Sequence, residues 1–172
     1  MLTIWDMETK NYYQYREHVN DVLSVSFSTD GLTLASGDSS GIVKLWDLKG
    51  GTCLHTFIGH HGNVEGVCFN PDSSMLATAG GLKIKFWEVE SGREILSVKA
   101  HEDDILCLDF AKDGSKLVSG SWDKTVRIWE VCHPERERKT LLMVLKSCKH
   151  ELYANVDVAR RIFTYINPNL PS

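Results

Sequence analysis

The 172-residue chain contains no run of about 18 apolar residues, so nothing in it reads as a membrane span. It has no surplus of positive charge: 19 Lys and Arg stand against 23 Asp and Glu, a formal net charge of −4. Unspecific nucleic-acid binding needs a large positive field, so neither nucleic acid nor membrane is expected as a partner. The first residues, Met1-Leu2-Thr3-Ile4-Trp5-Asp6, lack a basic stretch, a long apolar core and a cleavage site, and are not expected to act as a secretory signal. Cysteine is sparse and odd in number. Cys53, Cys68, Cys107, Cys132 and Cys148 show no tight spacing and fit free thiols in a reducing compartment. A cytoplasmic location is therefore expected, with the nucleus as the alternative. Cys132-His133 with Cys148 and His150 would supply four zinc-type ligands. Adjacent side chains on extended backbone face opposite ways, however, and no finger spacing is present. No glycine-rich phosphate loop leads from a strand into a helix. No metal and no other cofactor is expected.

What the chain does have is a period of about 41 residues. Ile4-Trp5-Asp6, Leu45-Trp46-Asp47, Phe86-Trp87-Glu88 and Ile128-Trp129-Glu130 are separated by 41, 41 and 42 residues. His18, His60 and His101 follow the same step, as do Phe27, Phe69 and Phe110. So do the turn acids of Asp30-Gly31, Asp72-Ser73 and Asp113-Gly114. Self-similarity at one fixed spacing is the mark of a repeat architecture.

Each repeat reads as four short strands. The first covers 22–27, 64–69 and 105–110, where a side-chain period of two puts Leu23, Val25 and Phe27 on one face. Leu106, Leu108 and Phe110 align in the same way. An Asp-Gly or Asp-Ser turn follows. The second strand is expected at 33–36, 75–78 and 116–119, and the third at 42–46, 83–87 and 126–129. The fourth is expected at 53–57 and 94–98, with 12–15 in the same place at the start. No segment through Glu130 has the spacing of an amphipathic helix. The expectation is an all-β, antiparallel protein.

Gly59-His60, the Leu-Trp-Asp strand end and the run Ser119-Gly120-Ser121-Trp122-Asp123-Lys124-Thr125-Val126-Arg127-Ile128-Trp129 resemble the WD-repeat family of β-propellers. The resemblance covers residues 1–130. It implies four-stranded antiparallel blades set radially around a channel. The expected organisation is a partial blade at 1–17, repeats at 18–59, 60–100 and 101–130, a linker at 131–140 and a helical tail at 141–172. Three blades cannot close a ring, and repeat proteins draw their stability from neighbours. A piece of a larger propeller is therefore expected, with the remaining blades coming from a longer chain or another copy.

His101, Ser119 and Asp123 have the composition of a serine-hydrolase trio. No Gly-x-Ser-x-Gly elbow accompanies them. The resemblance implies instead that they form, with Trp129, a hydrogen-bonded structural tetrad within one blade. Repeat one offers His18, Ser36 and Trp46, with Ser40 where the acid is expected. Repeat two offers His60, Thr78 and Trp87, with a turn one residue short and no acid. Only repeat three is expected to hold a complete tetrad, and the turns of the other two are expected to be softer.

The same resemblance implies partner contacts where the innermost strands begin and just before the tetrad Asp. These positions are Asp21, Leu23, Asn63, Glu65, Asp104, Leu106 and Trp122, with Ser39 as the match in repeat one. Acids dominate the set, so a basic or amphipathic protein segment is the expected partner. Residues 131–172 break the period and carry a net charge of +3 against −7 for the rest. Leu141, Leu142, Leu145 and Cys148 suggest a helix, or else the fourth strand of the third blade displaced by the linker. A second helix is expected at 156–166, capped by Asn155 and stopped by Pro168. Residues 157–170 faintly resemble the opening of an F-box. The expected function is a non-catalytic protein-interaction scaffold. The alternatives are a ubiquitin-ligase adaptor working through the tail and a sensor domain of a larger nucleotide-regulated protein.

Overall fold

The structure, a computed structural model, describes residues 1–131 and 147–148. The tail helix expected at 156–166, the F-box-like stretch, the 131–140 linker apart from Val131, and His133 and His150 lie outside the described residues. Among the described residues there is no helix.

A two-stranded sheet comes first, β1 (Leu2–Trp5) paired antiparallel with β2 (Tyr12–Tyr15). Three four-stranded sheets follow. Blade one is β3 (Val22–Phe27), β4 (Thr33–Asp38), β5 (Ile42–Asp47) and β6 (Thr52–Ile58). Blade two is β7 (Val64–Phe69), β8 (Met75–Gly80), β9 (Lys83–Glu88) and β10 (Glu94–Lys99). Blade three is β11 (Ile105–Phe110), β12 (Lys116–Ser121), β13 (Val126–Glu130) and β14 (Ser147–Cys148). Within each sheet the strands stand in chain order and pair antiparallel, so each blade is a meander. At Ser147–Cys148 the strand alternative is the one adopted: these residues pair with Trp129 and Ile128.

The turns between first and second strands form for a local reason. The Asp30 side chain accepts the Leu32 N–H at 2.9 Å, and Asp72 and Asp113 do the same for Ser74 and Ser115 at 2.9 and 3.0 Å. Each carboxylate thus closes its own turn two residues on. The next residue must then take a left-handed backbone, φ 69° at Gly31 and 72° at Gly114.

The blades bury their faces against one another. Val67 and Phe69 of β7 pack on Ala35, Val43, Leu45 and Phe57 of blade one. Leu108 and Phe110 of β11 pack in the same way on Cys68, Ala77, Ile84 and Phe86 of blade two. A smaller cluster joins Leu2, Ile4 and Tyr15 of the first sheet to Leu34 and Trp46. The second strands run two residues further than the sequence pattern predicts, ending at Asp38, Gly80 and Ser121.

Close approach between blades one and two fixes Gly37. A Cβ there would overlap the Val64 side chain and come within 2.8 Å of Ser24 Oγ, which itself donates to the Val64 carbonyl. Gly37→Ala is therefore expected to cost about 1–3 kcal/mol by forcing the two blades apart. Gly31→Ala, where a Cβ meets nothing within 4 Å, carries only its backbone strain. Thermal melts of the two variants check the difference.

Buried polar networks and the candidate interaction edge

The loop before β11, the strand β12, the turn after it and the strand β13 bring His101, Ser119, Asp123 and Trp129 of blade three together. His101 Nε2 lies 2.7 Å from Ser119 Oγ, and His101 Nδ1 lies 2.8 Å from Asp123 Oδ2. The Trp129 indole N–H donates to the same Ser119 Oγ at 2.9 Å. An indole only donates and a carboxylate only accepts, which orders the whole chain. Trp129 donates to Ser119, Ser119 donates to Nε2, and Nδ1–H donates to Asp123. The imidazole is therefore neutral in this arrangement, and burial lowers its pKa despite the carboxylate beside it. Burial also pushes the Asp123 carboxyl upward. The Thr125 hydroxyl, the Glu102 N–H, His101 and the Thr125 N–H outweigh it and hold that carboxyl well below the usual range.

Blade one corrects the sequence reading. Its network is complete, and the acid is Asp38, not a residue at position 40. His18 Nδ1 lies 2.7 Å from Asp38 Oδ2, His18 Nε2 lies 2.7 Å from Ser36 Oγ, and the Trp46 indole donates to Ser36 at 2.8 Å. Ser36 and Asp38 are two residues apart on one strand, so their side chains leave it on the same side. The second Asp38 oxygen accepts from the Ser40 N–H and hydroxyl and from the Ile42 N–H, at 2.9, 2.7 and 3.1 Å. Ser40 is thus a ligand of the carboxylate rather than its replacement.

Blade two has the lower half of the network. His60 Nε2 lies 2.7 Å from Thr78 Oγ1, and the Trp87 indole donates to Thr78 at 2.8 Å. Among the described residues no group partners His60 Nδ1.

The hydrolase reading of His101, Ser119 and Asp123 fails on access. Ser119 is fully buried, and its oxygen already accepts the Trp129 indole. A nucleophile must reach its substrate. The same geometry recurs, also buried, at His18, Ser36 and Asp38, as a structural element would and a single catalytic centre would not.

The candidate partner residues lie along one edge of the blades. In each first strand the ladder register slips by one residue, between Val22 and Ser24, Val64 and Gly66, and Ile105 and Cys107. The extra residues of these bulges are Leu23, Glu65 and Leu106. Bulges re-aim a side chain out of the ladder, a signal that the alternation of apolar residues hid. Leu23 is exposed, while Glu65 and Leu106 are half-buried. Asp21, Asn63 and Asp104 precede the bulges and are exposed. Ser39 is half-buried, and its N–H donates to the Asp21 carbonyl at 2.9 Å. The Trp122 N–H donates to the Asp104 carbonyl at the same distance. The side chain of Trp122 is 64% exposed. Its turn is pinned on both sides: Ser121 Oγ donates to the Asp103 carbonyl at 2.9 Å and accepts the Asp123 N–H at 3.0 Å. Among the described residues no cluster of three or more His, Cys, Asp or Glu could hold a metal. Cys53, Cys68 and Cys107 are free thiols.

Comparison with known proteins places this geometry. The family described as "WD domain, G-beta repeat" matches residues 9–47, 51–88 and 92–130. Periodic tryptophan protein 2 of Saccharomyces cerevisiae is 32% identical over 176 residues, which is 76% of this chain and 19% of that protein. The serine-threonine kinase receptor-associated proteins of Homo sapiens and Bos taurus are each 31% identical over 144 residues, 81% of this chain and 41% of theirs. The chain thus spans well under half the length of these relatives.

The networks are expected to show in stability. Asp123→Ala and Asp38→Ala each remove an acceptor from a buried imidazole and should cost about 1–3 kcal/mol. Ser40→Asp, which sets a second carboxylate beside Asp38, should gain nothing. Thermal melts of the three variants test the tetrad assignment in both blades.

His60 gives a pH dependence. Burial, and next the charge of Lys85, lowers its pKa to about 4. The unfolded chain holds an imidazole near about 6.5, so the unfolded state takes up the proton first as pH falls. Stability from this group is full above about pH 6.5 and is lost between there and about 4, on the order of 2 kcal/mol by pH 5. Melts at pH 7.5 and 5.0 should show a smaller acid loss in His60→Gln than in the parent chain.

Proposed function

The chain belongs to the WD-repeat family, and from that premise we propose that it is a non-catalytic scaffold that binds a protein partner through the bulge and turn residues along one edge of its blades. The observation that carries this reading is Trp122. Its equivalents by position in the other repeats are the half-buried Ser39 and a shortened turn, so no structural slot in the repeat requires an indole there. Its side chain is exposed on a turn held by its neighbours' hydrogen bonds. A large apolar surface with one donor, presented without conformational cost, has the profile of an interface hot spot.

The charge of the edge bears on the partner. Asp21, Glu65 and Asp104 belong to the proposed contact set, and Glu102 and Asp103 are exposed beside Asp104. A basic or amphipathic segment is the complement. Contacts of this kind favour encounter and specificity and weaken as salt screens them. One relative is named for association with a serine-threonine kinase receptor, and a protein partner for this chain is in keeping with that name. The free thiols support a reducing compartment, and a cytoplasmic location is part of the proposal.

The test is Trp122→Ala, with a basic amphipathic helical peptide of Lys and Leu as the probe. As a hot spot, Trp122 should contribute about 2 kcal/mol or more to binding while the melting temperature stays nearly unchanged. Affinity should fall between low and high salt. If the melt drops and the affinity of the folded fraction holds, Trp122 is packing, and the binding edge lies elsewhere. Affinity that rises with salt counts against the acidic edge.

A further inference from the structure

The fourth strand of blade three points at the edge that carries Trp122. β14 pairs antiparallel with β13, Ser147 across from Trp129 and Cys148 across from Ile128. The chain therefore leaves Cys148 in the direction of Val126 and of the turn 122–125 before it. The level of Cys148 and that of Val126 differ by the two strand residues from Ile128 to Val126, about 7 Å.

The edge in that direction joins an apolar surface to unpaired acids. Trp122 is 64% exposed. Its N–H donates to the Asp104 carbonyl and Ser121 Oγ donates to the Asp103 carbonyl, each at 2.9 Å, so the indole and the 102–104 loop are fixed beside one another. Glu102, Asp103 and Asp104 are all exposed. Lys99 Nζ already meets the Glu102 carboxylate at 2.6 Å. Asp103 and Asp104 are left, and neither is in an ion pair among the described residues, although Lys124 is exposed on the same turn.

The sequence after Cys148 has the complementary chemistry. Residues 158–172 carry Arg160 and Arg161 and no acid. Over 156–166 the spacing predicts a helix, in which Val158, Arg161, Ile162 and Tyr165 stand at i, i+3, i+4 and i+7. That is one face with three apolar side chains and one cation. A helix of that length is about 16 Å long. Four strands at a spacing of about 4.8 Å span about 14 Å, so one such helix covers the edge of one blade. Residues 149–155 can bridge about 23 Å when extended, enough to cross the same width.

We infer, taking that edge as the protein-binding surface proposed above, that residues 149–172 occupy it within the same chain. The 156–166 face lies on Trp122, Arg161 meets Asp103 or Asp104, and an outside partner must displace the segment to bind. The tether is what favours this occupant. A segment joined by so few residues meets its own edge at an effective concentration on the order of 1 mM. A contact with an intrinsic Kd of about 0.1 mM is then about nine-tenths occupied, and it weakens a competing partner about tenfold.

The full 172-residue chain is to be compared with the same chain carrying Arg161→Glu and Ile162→Asp, with the Lys and Leu peptide as the probe. The altered chain should bind that peptide about tenfold more tightly than the parent. Hydrogen exchange at 102–106 and 122–125 should be faster in the altered chain. A synthetic peptide of residues 149–172 should bind the altered chain and displace the Lys and Leu peptide from it. Trp122→Ala, on the other side of the contact, should also speed exchange at 102–106. Equal peptide affinity and equal exchange in parent and altered chains overturn the self-contact and leave the reading of the edge intact. An exchange difference with no binding of the Lys and Leu peptide to either chain upholds the self-contact and overturns the partner class proposed for the edge. Protection that fades when the parent chain is diluted assigns the contact to a second copy and overturns its intramolecular form.

Discussion

One buried hydroxyl in each blade sets the geometry of the edge around it. Ser36, Thr78 and Ser119 stand on the second strand, accept an indole N–H from the third strand, and meet an imidazole carried by the incoming loop. A hydroxyl has one hydrogen to give. The Thr78 hydroxyl also has the Lys85 carbonyl within 3.4 Å to donate to. At Ser36 and Ser119, once the indole has been accepted, that hydrogen goes to Nε2, and the imidazole carries its own proton on Nδ1. That proton needs an acceptor in a place water does not reach. Asp38 and Asp123 supply it, and their second oxygens are left to hold the turn into the third strand. The order of donors runs from core to edge, and each link exists to satisfy the one before.

The same tryptophans also stack the blades. Trp87 lies with its ring centroid 5.0 Å from that of Phe57, across the interface from blade one to blade two. Trp46 meets Tyr15 of the first sheet at 5.2 Å. The indole is thus fixed at one end by a hydroxyl of its own blade and buries its face against the blade before. Lys44 and Lys85 lie over these rings and reach Glu17 and Glu94 with their charged ends. Long side chains of this kind cover apolar surface while keeping their charge paired. Because one residue serves both the polar network and the stacking, its position cannot drift without loosening both. That is the physical content of the tryptophan period.

The strands, their order within each blade and the turns were legible because alternation and Asp-Gly punctuation are local properties. Asp38 was not found by counting back from Trp46, since counting assumes that the acid comes from the turn. In blade one it comes from the end of a longer strand, and the period of two from Ser36 would have pointed to it. Exposure was least legible of all. Phe27 and Phe69 occupy the same place in the same pattern, yet one is exposed and the other buried. What differs is the neighbouring sheet, and no window of sequence around either residue contains it. The bulges were hidden for a related reason. Each falls at the first step of its strand, where one extra residue leaves the later alternation intact.

Blade two shows how the fold tolerates a missing acid. Its turn is one residue shorter, and the main chain closes directly on the imidazole: a Cβ on Gly80 would come within 2.7 Å of His60 Cγ and Nδ1. No side chain fits in that space, and none is needed to hold the turn. The Leu82 carbonyl accepts the N–H groups of Ala100 and His101 at 2.8 and 3.3 Å, and the Gly81 carbonyl accepts that of Ile105 at 3.0 Å. The first of these extends the blade-two ladder, and the other two reach into the loop and first strand of blade three. In blades one and three a carboxylate ties the turn to its own histidine; in blade two the backbone ties it to the next blade. The turn expected to be softer is therefore anchored from outside. The cost falls on His60, whose Nδ1 is left unpaired and whose imidazole is kept neutral by burial. An unsatisfied ring nitrogen costs on the order of 1–3 kcal/mol. Two main-chain bonds between blades, from His101 and Ile105, each contributing about 0.5–1.5 kcal/mol, are of the size to offset it.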